Sequence, residues 1–279
     1  MSNRVYEIIT SRIMEKLEQG VIPWHRPWID QGLPKNLVSK HDYKGINVFL
    51  LACQGYASPF WLSFKQVKEM GGHVKKGEKA TMVIFWKQLD IKEVKEEGEV
   101  IKKVPCVRYY NVFNVEQAEG IPKEKVPKLE TKPFNPIEAC EKVVNQMPKK
   151  PVIQFRELRA YYQPSSDAVN MPKAETFESP EEYYSTLFHE LSHSTGHESR
   201  LDRATIKDVS PFGSCNYSKE ELIAEMGSAF LCGHCKIENK TIDNSAGYIQ
   251  GWLRKLRNDK KMIVMAASQA QKAADFILD

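Results

Sequence analysis

His189-Glu190-Leu191-Ser192-His193 is the stretch from which the rest of the chain is read. In a helix, residues four apart lie on one face one turn apart. His189 and His193 can therefore present two imidazole nitrogens to one metal ion, with Glu190 beside the open coordination side. The flanks predict that helix: Ser179-Pro180-Glu181-Glu182 reads as a capping box with proline at the first helical position, and Gly196 as a left-handed stop. Tyr184, Leu187, Phe188 and Leu191 form an apolar stripe that would bury the helix and leave the histidines at its border. Two surface histidines on an ordinary amphipathic helix would share this spacing; the glutamate between them favours metal-assisted hydrolysis.

A catalytic zinc takes three protein ligands and keeps a fourth position for water. In His-Glu-x-x-His-x-x-Gly-x-x-His proteases the third ligand follows the glycine by three residues, but here that position is Ser199, and His197 directly follows Gly196. Downstream, a helix expected to start at Ser218 carries Glu221 and Glu225 on one face. The run Glu221-Leu222-Ile223-Ala224-Glu225 resembles the second helix of gluzincins. That resemblance implies Glu221 as the third ligand of one zinc ion, or of another divalent metal, and Glu225 as the acid that orients a ligand histidine. Two alternatives stay open: Glu225 as the ligand, or Glu221 merely closing a capping box with Ser218.

A chain of 279 residues, 42% hydrophobic, can bury a sizeable core as one large or two modest domains, and two are expected. No apolar run approaches the ~20 residues a membrane span needs, and the amino terminus begins an amphipathic pattern. A soluble cytoplasmic protein without a membrane partner is expected. Six scattered cysteines suggest free thiols rather than a disulfide framework. Cys232-Gly233-His234-Cys235 ends a predicted helix and lacks a second cysteine pair, which disfavours both a redox site and a structural zinc. The net charge is +4, and residues 1–89 hold 13 basic against 7 acidic residues. That excess lies among aromatics and glycines, a combination suited to a single-stranded polyanion.

The amino-terminal half reads as a small α+β unit. Val5, Ile8, Ile9, Ile13 and Leu17 give a helix stopped at Gly20. In Ile22-Pro23-Trp24-His25-Arg26-Pro27-Trp28 two prolines stiffen a loop carrying two tryptophans, which offer stacking faces or fold back as core. A helix is expected over 48–53 and another after the capping box Ser63-Phe64-Lys65-Gln66. Lys75-Lys76-Gly77-Glu78-Lys79 is a basic turn, followed by strands over 80–86 and 104–113.

Pro23-Trp24-x-x-Pro27-Trp28, Tyr43-Lys44-Gly45-Ile46-Asn47, Trp61-x-x-x-x-Gln66, Lys76-Gly77-Glu78-Lys79 and Tyr110-Asn111-Val112-Phe113-Asn114 resemble the amino-terminal domain of the antirestriction protein ArdC family. Tyr161-Tyr162-x-Pro164-x-x-Asp167, Asn170-Met171-Pro172, Tyr183-Tyr184 and the stretch 189–197 resemble the same family's zincin-like domain. The resemblance spans nearly the whole chain. It implies an α+β fold: an amino-terminal domain that binds single-stranded DNA, then a gluzincin-type metallopeptidase domain. It also implies carriage by conjugative plasmids, protection of entering DNA from host restriction, and passage with that DNA into a recipient cell. The catalytic carry-over is Glu190, with His189, His193 and Glu221 as metal ligands. The residues expected at DNA are Trp24, Arg26, Trp28, Tyr43, Asn47, Trp61, Lys75, Lys76 and Lys79.

The expected organisation is a DNA-binding domain over 1–121, a proline- and charge-rich connector over 122–133, and a metallopeptidase domain over 134–279. In the second, a helix is predicted over 137–147, a strand over 152–155, a cleft-bordering strand over 167–171, and terminal helices over 246–257 and 261–277. His197 and Tyr217 are candidates for stabilising an oxyanion or for structural hydrogen bonds. Two functional readings result: an antirestriction DNA-binding protein with a zinc peptidase domain, or a site-specific zinc endopeptidase that cleaves a host restriction-related protein and uses DNA only for localisation.

Overall fold

The computed structural model describes residues 2–24, 33–95, 98–127, 136–207, 215–239 and 246–279. The first half contains α1 (Ser2–Glu18), β1 (Lys35–Asn36), α2 (Ile46–Ala52), β2 (Phe60–Ser63), α3 (Phe64–Glu69), β3 (His73–Val74), β4 (Thr81–Lys95), β5 (Gly98–Asn114) and β6 (Ala118–Glu119). The second contains α4 (Pro136–Gln146), β7 (Val152–Gln154), β8 (Tyr161–Gln163), β9 (Ala168–Asn170), α5 (Pro180–Ser194), α6 (Ala204–Lys207), α7 (Cys215–Cys235), α8 (Ala246–Asn258) and α9 (Met262–Leu278). The α+β class expected from the sequence is the class observed.

The larger sheet has the order β1-β2-β5-β4 and is dominated by the β4–β5 hairpin, whose antiparallel register runs from Thr81 opposite Val112 to Lys95 opposite Gly98. Both halves of the predicted capping box at α3 form: Ser63 Oγ accepts from Gln66 N and Gln66 Oε1 accepts from Ser63 N. The second sheet has the order β7-β9-β8. Its centre is β9, all three of whose residues are buried, and β8 forms the edge beside the helices. The sequence pattern places the cleft-bordering strand at 167–171. The edge strand β8 fills that role instead, because β9 is paired on both sides.

One hydrophobic cluster joins the two halves. Residues of α1 and α2 (Ile9, Ile13, Leu17, Phe49) pack with Phe188 and Leu191 of α5, Phe230 of α7 and Ala270 of α9. Phe49 stacks on Phe230 with ring centroids 4.9 Å apart. Polar ties reinforce the contact: Thr10 Oγ1 donates to Lys260 O at 2.7 Å, and Gly45 N donates to Gln271 Oε1 at 2.9 Å. Among the described residues no helix is long and apolar enough to cross a membrane.

Candidate metal centre

The site is carried by two helices that cross closely. A Cβ added at Gly227 of α7 would stand 2.6 Å from Ser192 Oγ of α5, so the crossing tolerates only a hydrogen at that position. Leu187, Phe188 and Leu191 anchor α5 in the core, as the apolar stripe predicted. Ser179 caps α5 by accepting from Glu182 N, but the reciprocal bond is shifted by one residue, with Glu182 Oε2 accepting from Glu178 N at 2.7 Å. Gly196 is not a left-handed stop, since Thr195 ends the helix in a right-handed conformation and Gly196 is absent from the positive-φ glycines. Its reason is steric: a Cβ there would lie 2.5 Å from Ile206 Cγ1 and 3.0 Å from Arg203 Nη2.

His189, His193 and Glu221 converge. Their donor atoms all lie within 4.8 Å of one another, with His189 Nε2 and His193 Nε2 3.1 Å apart. Glu221 Oε2 is 3.6 Å from His189 Nε2, and Glu221 Oε1 is 3.7 Å from His193 Nε2. Two ligands each about 2.0–2.1 Å from one tetrahedral ion stand about 3.4 Å from each other, so these separations fit a single small divalent cation. Two imidazoles and a carboxylate are also the donor set of a hydrolytic zinc, with room for water. Burial opposes a charge on His189, but the Glu221 hydrogen bond and the charges of Glu190, Glu221 and Glu225 outweigh it and raise the imidazole pKa to about 9. Such a carboxylate-rich surrounding favours a cation among these groups.

His193 is oriented from behind. Its Nδ1–H donates to Glu220 Oε1 at 3.3 Å, which leaves the Nε2 lone pair facing Glu221 and His189. Glu220 is in turn gripped by Arg203, through Nη2 at 2.6 Å and Nε at 3.2 Å, and by the hydroxyl of Thr205. Burial alone would raise the Glu220 carboxyl; the His193 hydrogen bond and the Arg203 charge reverse this and hold it at about 2. The sequence reading missed Glu220, Arg203 and Thr205. Glu225, expected to orient a histidine, has no hydrogen bond to one among those described: its Oε2 accepts from Trp24 Nε1 at 3.0 Å and Tyr248 OH at 2.6 Å. Burial lifts its carboxyl to about 7 against the pull of those two donors and of His189.

The centre opens into a cleft of about 460 Å³ lined by Glu190, Tyr161 and Tyr162 of β8, Tyr217 and Ile206. Glu190 is 7% exposed and sits at the floor beside the ligands. Tyr217 keeps its proton, because burial and then the charge of Glu221 push its hydroxyl up to about 12. His197 lies outside the cleft lining, with Nδ1 2.8 Å from Ser199 Oγ. The β8–β9 turn is tied to the end of α5 by Arg200, which donates to Ser194 O at 2.7 Å and forms an ion pair with Asp167.

Several residues expected at DNA have other duties. Trp24 is fully buried and Trp61 is 2% exposed, so neither indole has a face for a base. Apolar burial won over stacking at both. Tyr43 is buried in the cluster of Leu51, Trp61, Val83 and Val112. The Asn47 side chain spans to β4, donating to Ile84 O and accepting from Ile84 N, each at 2.8 Å. Lys75 Nζ donates to Glu116 O at 2.8 Å. Lys76 and Lys79 are exposed. Arg26 and Trp28 lie outside the described residues. The hairpin carries a group of exposed aromatics instead: Phe85, Trp86, Tyr109 and Tyr110 are 42%, 47%, 53% and 40% exposed, with the Phe85 and Tyr110 ring centroids 5.8 Å apart. A signal for them was present, since consecutive aromatics in one strand occupy both faces, and at this part of the hairpin both faces are exposed.

Residues 3–113 match the model of the N-terminal domain of anti-restriction factor ArdC, and residues 138–269 match that of a zincin-like metallopeptidase. Two Escherichia coli proteins named DNA primase TraC are each 34% identical over 98% of the chain, which spans only 20% and 27% of their lengths. The uncharacterized protein y4eC of Sinorhizobium fredii is 33% identical, with 98% of this chain and 91% of that protein covered. Crystal structures of the antirestriction protein ArdC of plasmid R388 superpose with 38% identity over 98% of this chain and 96% of theirs, at a TM-score of 0.77 for the metal-free form and 0.75 for the Mn(II)-bound form. With matches over both halves and a full-length structural counterpart, the chain belongs to the ArdC antirestriction protein family.

Proposed function

We propose that this chain is an antirestriction protein that binds single-stranded DNA through its amino-terminal half and hydrolyses a peptide bond in its carboxy-terminal half. Zinc is the ion we assign to the centre, on the donor set of two imidazoles and one carboxylate. The observation that carries the reading is the convergence of His189, His193 and Glu221 with Glu190 on the floor of an open cleft. A divalent ion held there would lower the pKa of a water toward about 7 and polarise a carbonyl. With such an ion bound, the Glu190 carboxylate would act as the base that accepts a proton from the attacking water and the acid that returns it to the leaving nitrogen. The Tyr217 hydroxyl, kept protonated, is placed to donate to the developing oxyanion. The open edge of β8 gives an extended peptide backbone partners beside the centre. A restriction-related host protein in the cytoplasm is the proposed substrate.

The DNA surface we assign to the hairpin, where Phe85, Arg108 and Tyr110 share one face, with Lys76 and Lys79 in the turn before β4. Exposed rings supply stacking and the cations follow the backbone. The test compares wild type and Glu190→Gln for strand binding, restriction protection and proteolysis. The expected result is unchanged DNA binding with peptide hydrolysis reduced by about 10²–10⁴-fold. Restriction protection that persists in the variant makes DNA binding the protective activity, and protection lost with proteolysis makes cleavage of a host protein the protective step. Equal proteolysis by both proteins would contradict the role of Glu190.

A further inference from the structure

Two carboxyl groups outside the ligand set, Glu220 and Glu225, flank the ligand Glu221 on α7 and are held by different parts of the chain. Glu220, behind His193, is held by Arg203 and Thr205, which lie close by in sequence. Glu225 lies one turn beyond the ligand Glu221 on α7. The His189 Nδ1 atom is buried without a hydrogen-bond partner, and Glu225 is held by other groups. Its two donors come from far away in sequence: Trp24 Nε1, 201 residues earlier, and Tyr248 OH, 23 residues later on α8. The same hydroxyl lies 3.2 Å from Trp24 Nε1, and the Trp24 indole meets Trp252 edge-on with centroids 6.1 Å apart. Trp24 thus enters from within the ArdC amino-terminal match, while Glu225 and Tyr248 lie within the metallopeptidase match.

We propose that Trp24 is a positioning residue of the metal centre: its indole N–H, with the Tyr248 hydroxyl, fixes the Glu225 carboxyl one turn beyond the ligand Glu221 and so holds that stretch of α7 against the centre, by which the amino-terminal half sets the metal affinity of the carboxy-terminal site. The proposal rests on the metal-centre reading above and is independent of DNA binding and of proteolysis. It accounts for a fully buried indole whose one polar atom is spent on an acid beside the ligands. Glu225 carries two donors on Oε2, and with Trp24 removed it would keep one and hold its stretch of α7 less firmly.

The experiment is a double-mutant cycle on the full chain, read by Mn²⁺ titration calorimetry and by thermal unfolding of the metal-free protein. Trp24→Phe keeps a ring against Trp252 and deletes the N–H. It should weaken Mn²⁺ binding about tenfold, the lower end for a partner outside the ligand set. Glu225→Gln should weaken binding at least as much, and the double variant no more than Glu225→Gln alone, because both act through one contact. A purely structural Trp24 would lower the metal-free unfolding temperature and leave the Mn²⁺ affinity intact, which would overturn the proposal; additive losses in the cycle would overturn it too. If Trp24→Phe does not fold, replacing the indole by benzothiophene keeps its volume, deletes only the N–H, and must show the same tenfold loss. A wild-type chain that binds no Mn²⁺ would overturn the metal-centre reading and this inference together, whereas wild-type binding unchanged in the variants would overturn the inference alone.

Discussion

The metal centre and the β4–β5 hairpin use polar and aromatic side chains in opposite ways. Around His193 each charged group is enclosed and paired: Glu220 and Arg203 are 5% and 6% exposed, and between them they bind the ligand histidine, Thr195 and Thr205. On the hairpin, Phe85, Trp86, Tyr109 and Tyr110 stand in solvent at 40% exposure or more, and Phe85 and Tyr110 meet as a tilted pair. An enclosed network concentrates energy, because removing one member leaves another buried and unpaired. An exposed row distributes it, because each ring adds one stacking step and none depends on the rest.

The largest effect should therefore follow from breaking the enclosed network. Glu220→Ala strands the Arg203 guanidinium and should cost about 3–5 kcal/mol of stability, measured by denaturant unfolding of the metal-free chain. The same pair has a pH signature. The Glu220 carboxyl sits at about 2 in the fold against an ordinary 4.5, so its contribution is complete above pH 4.5 and is lost as the pH falls toward about 2. Comparing the acid limbs of the wild type and Glu220→Gln would show it as a steeper loss in the wild type; parallel limbs would mean that the pair contributes nothing and would break the contrast.

A smaller loss is expected on the hairpin. Tyr110→Ala should weaken single-stranded DNA binding by about 1–3 kcal/mol without lowering stability comparably, and Phe85→Ala should act alike. Fluorescence anisotropy at fixed salt tests this, and unchanged binding in both variants would move the DNA surface elsewhere. The smallest effect belongs to single cations. Lys76→Ala should weaken binding uniformly across sequences and reduce the slope of log affinity against log salt by about 0.7, the single-strand value for one phosphate contact. A Lys76→Ala slope equal to that of the wild type would remove the turn from the interface.

The same two regions differ in how far their sequence could be read. His189 and His193 were legible because they stand four apart on one helical face, and Glu221 because the run around it resembles the second helix of gluzincins; the fold brings the three together. Glu220 was not, since adjacent helical residues diverge by about 100° and only the fold shows that Arg203 and His193 both meet that second direction. Glu225 was expected to orient a ligand histidine and instead accepts from Trp24 and Tyr248, which reach it from distant segments that local pattern does not bring together. Trp24 and Trp61 were read as stacking surfaces, and burial decided otherwise; proline-stiffened context does not say which way an indole turns. The α+β class, both halves of the α3 cap and the paired strands followed from local pattern. The choice of β8 over β9 as the cleft edge did not, because strand order is set by non-local pairing.

The central claim, one ion on His189, His193 and Glu221 with Glu190 free to act as base, is tested most directly by metal occupancy in four purified variants. Elemental analysis after dialysis should find one ion per chain in Glu190→Gln, weakened but measurable binding in Glu225→Ala, and none in His189→Ala or Glu221→Ala. Full occupancy in Glu221→Ala together with an empty Glu225→Ala would contradict the account, because it would make the carboxyl group held by Trp24 and Tyr248 the third ligand.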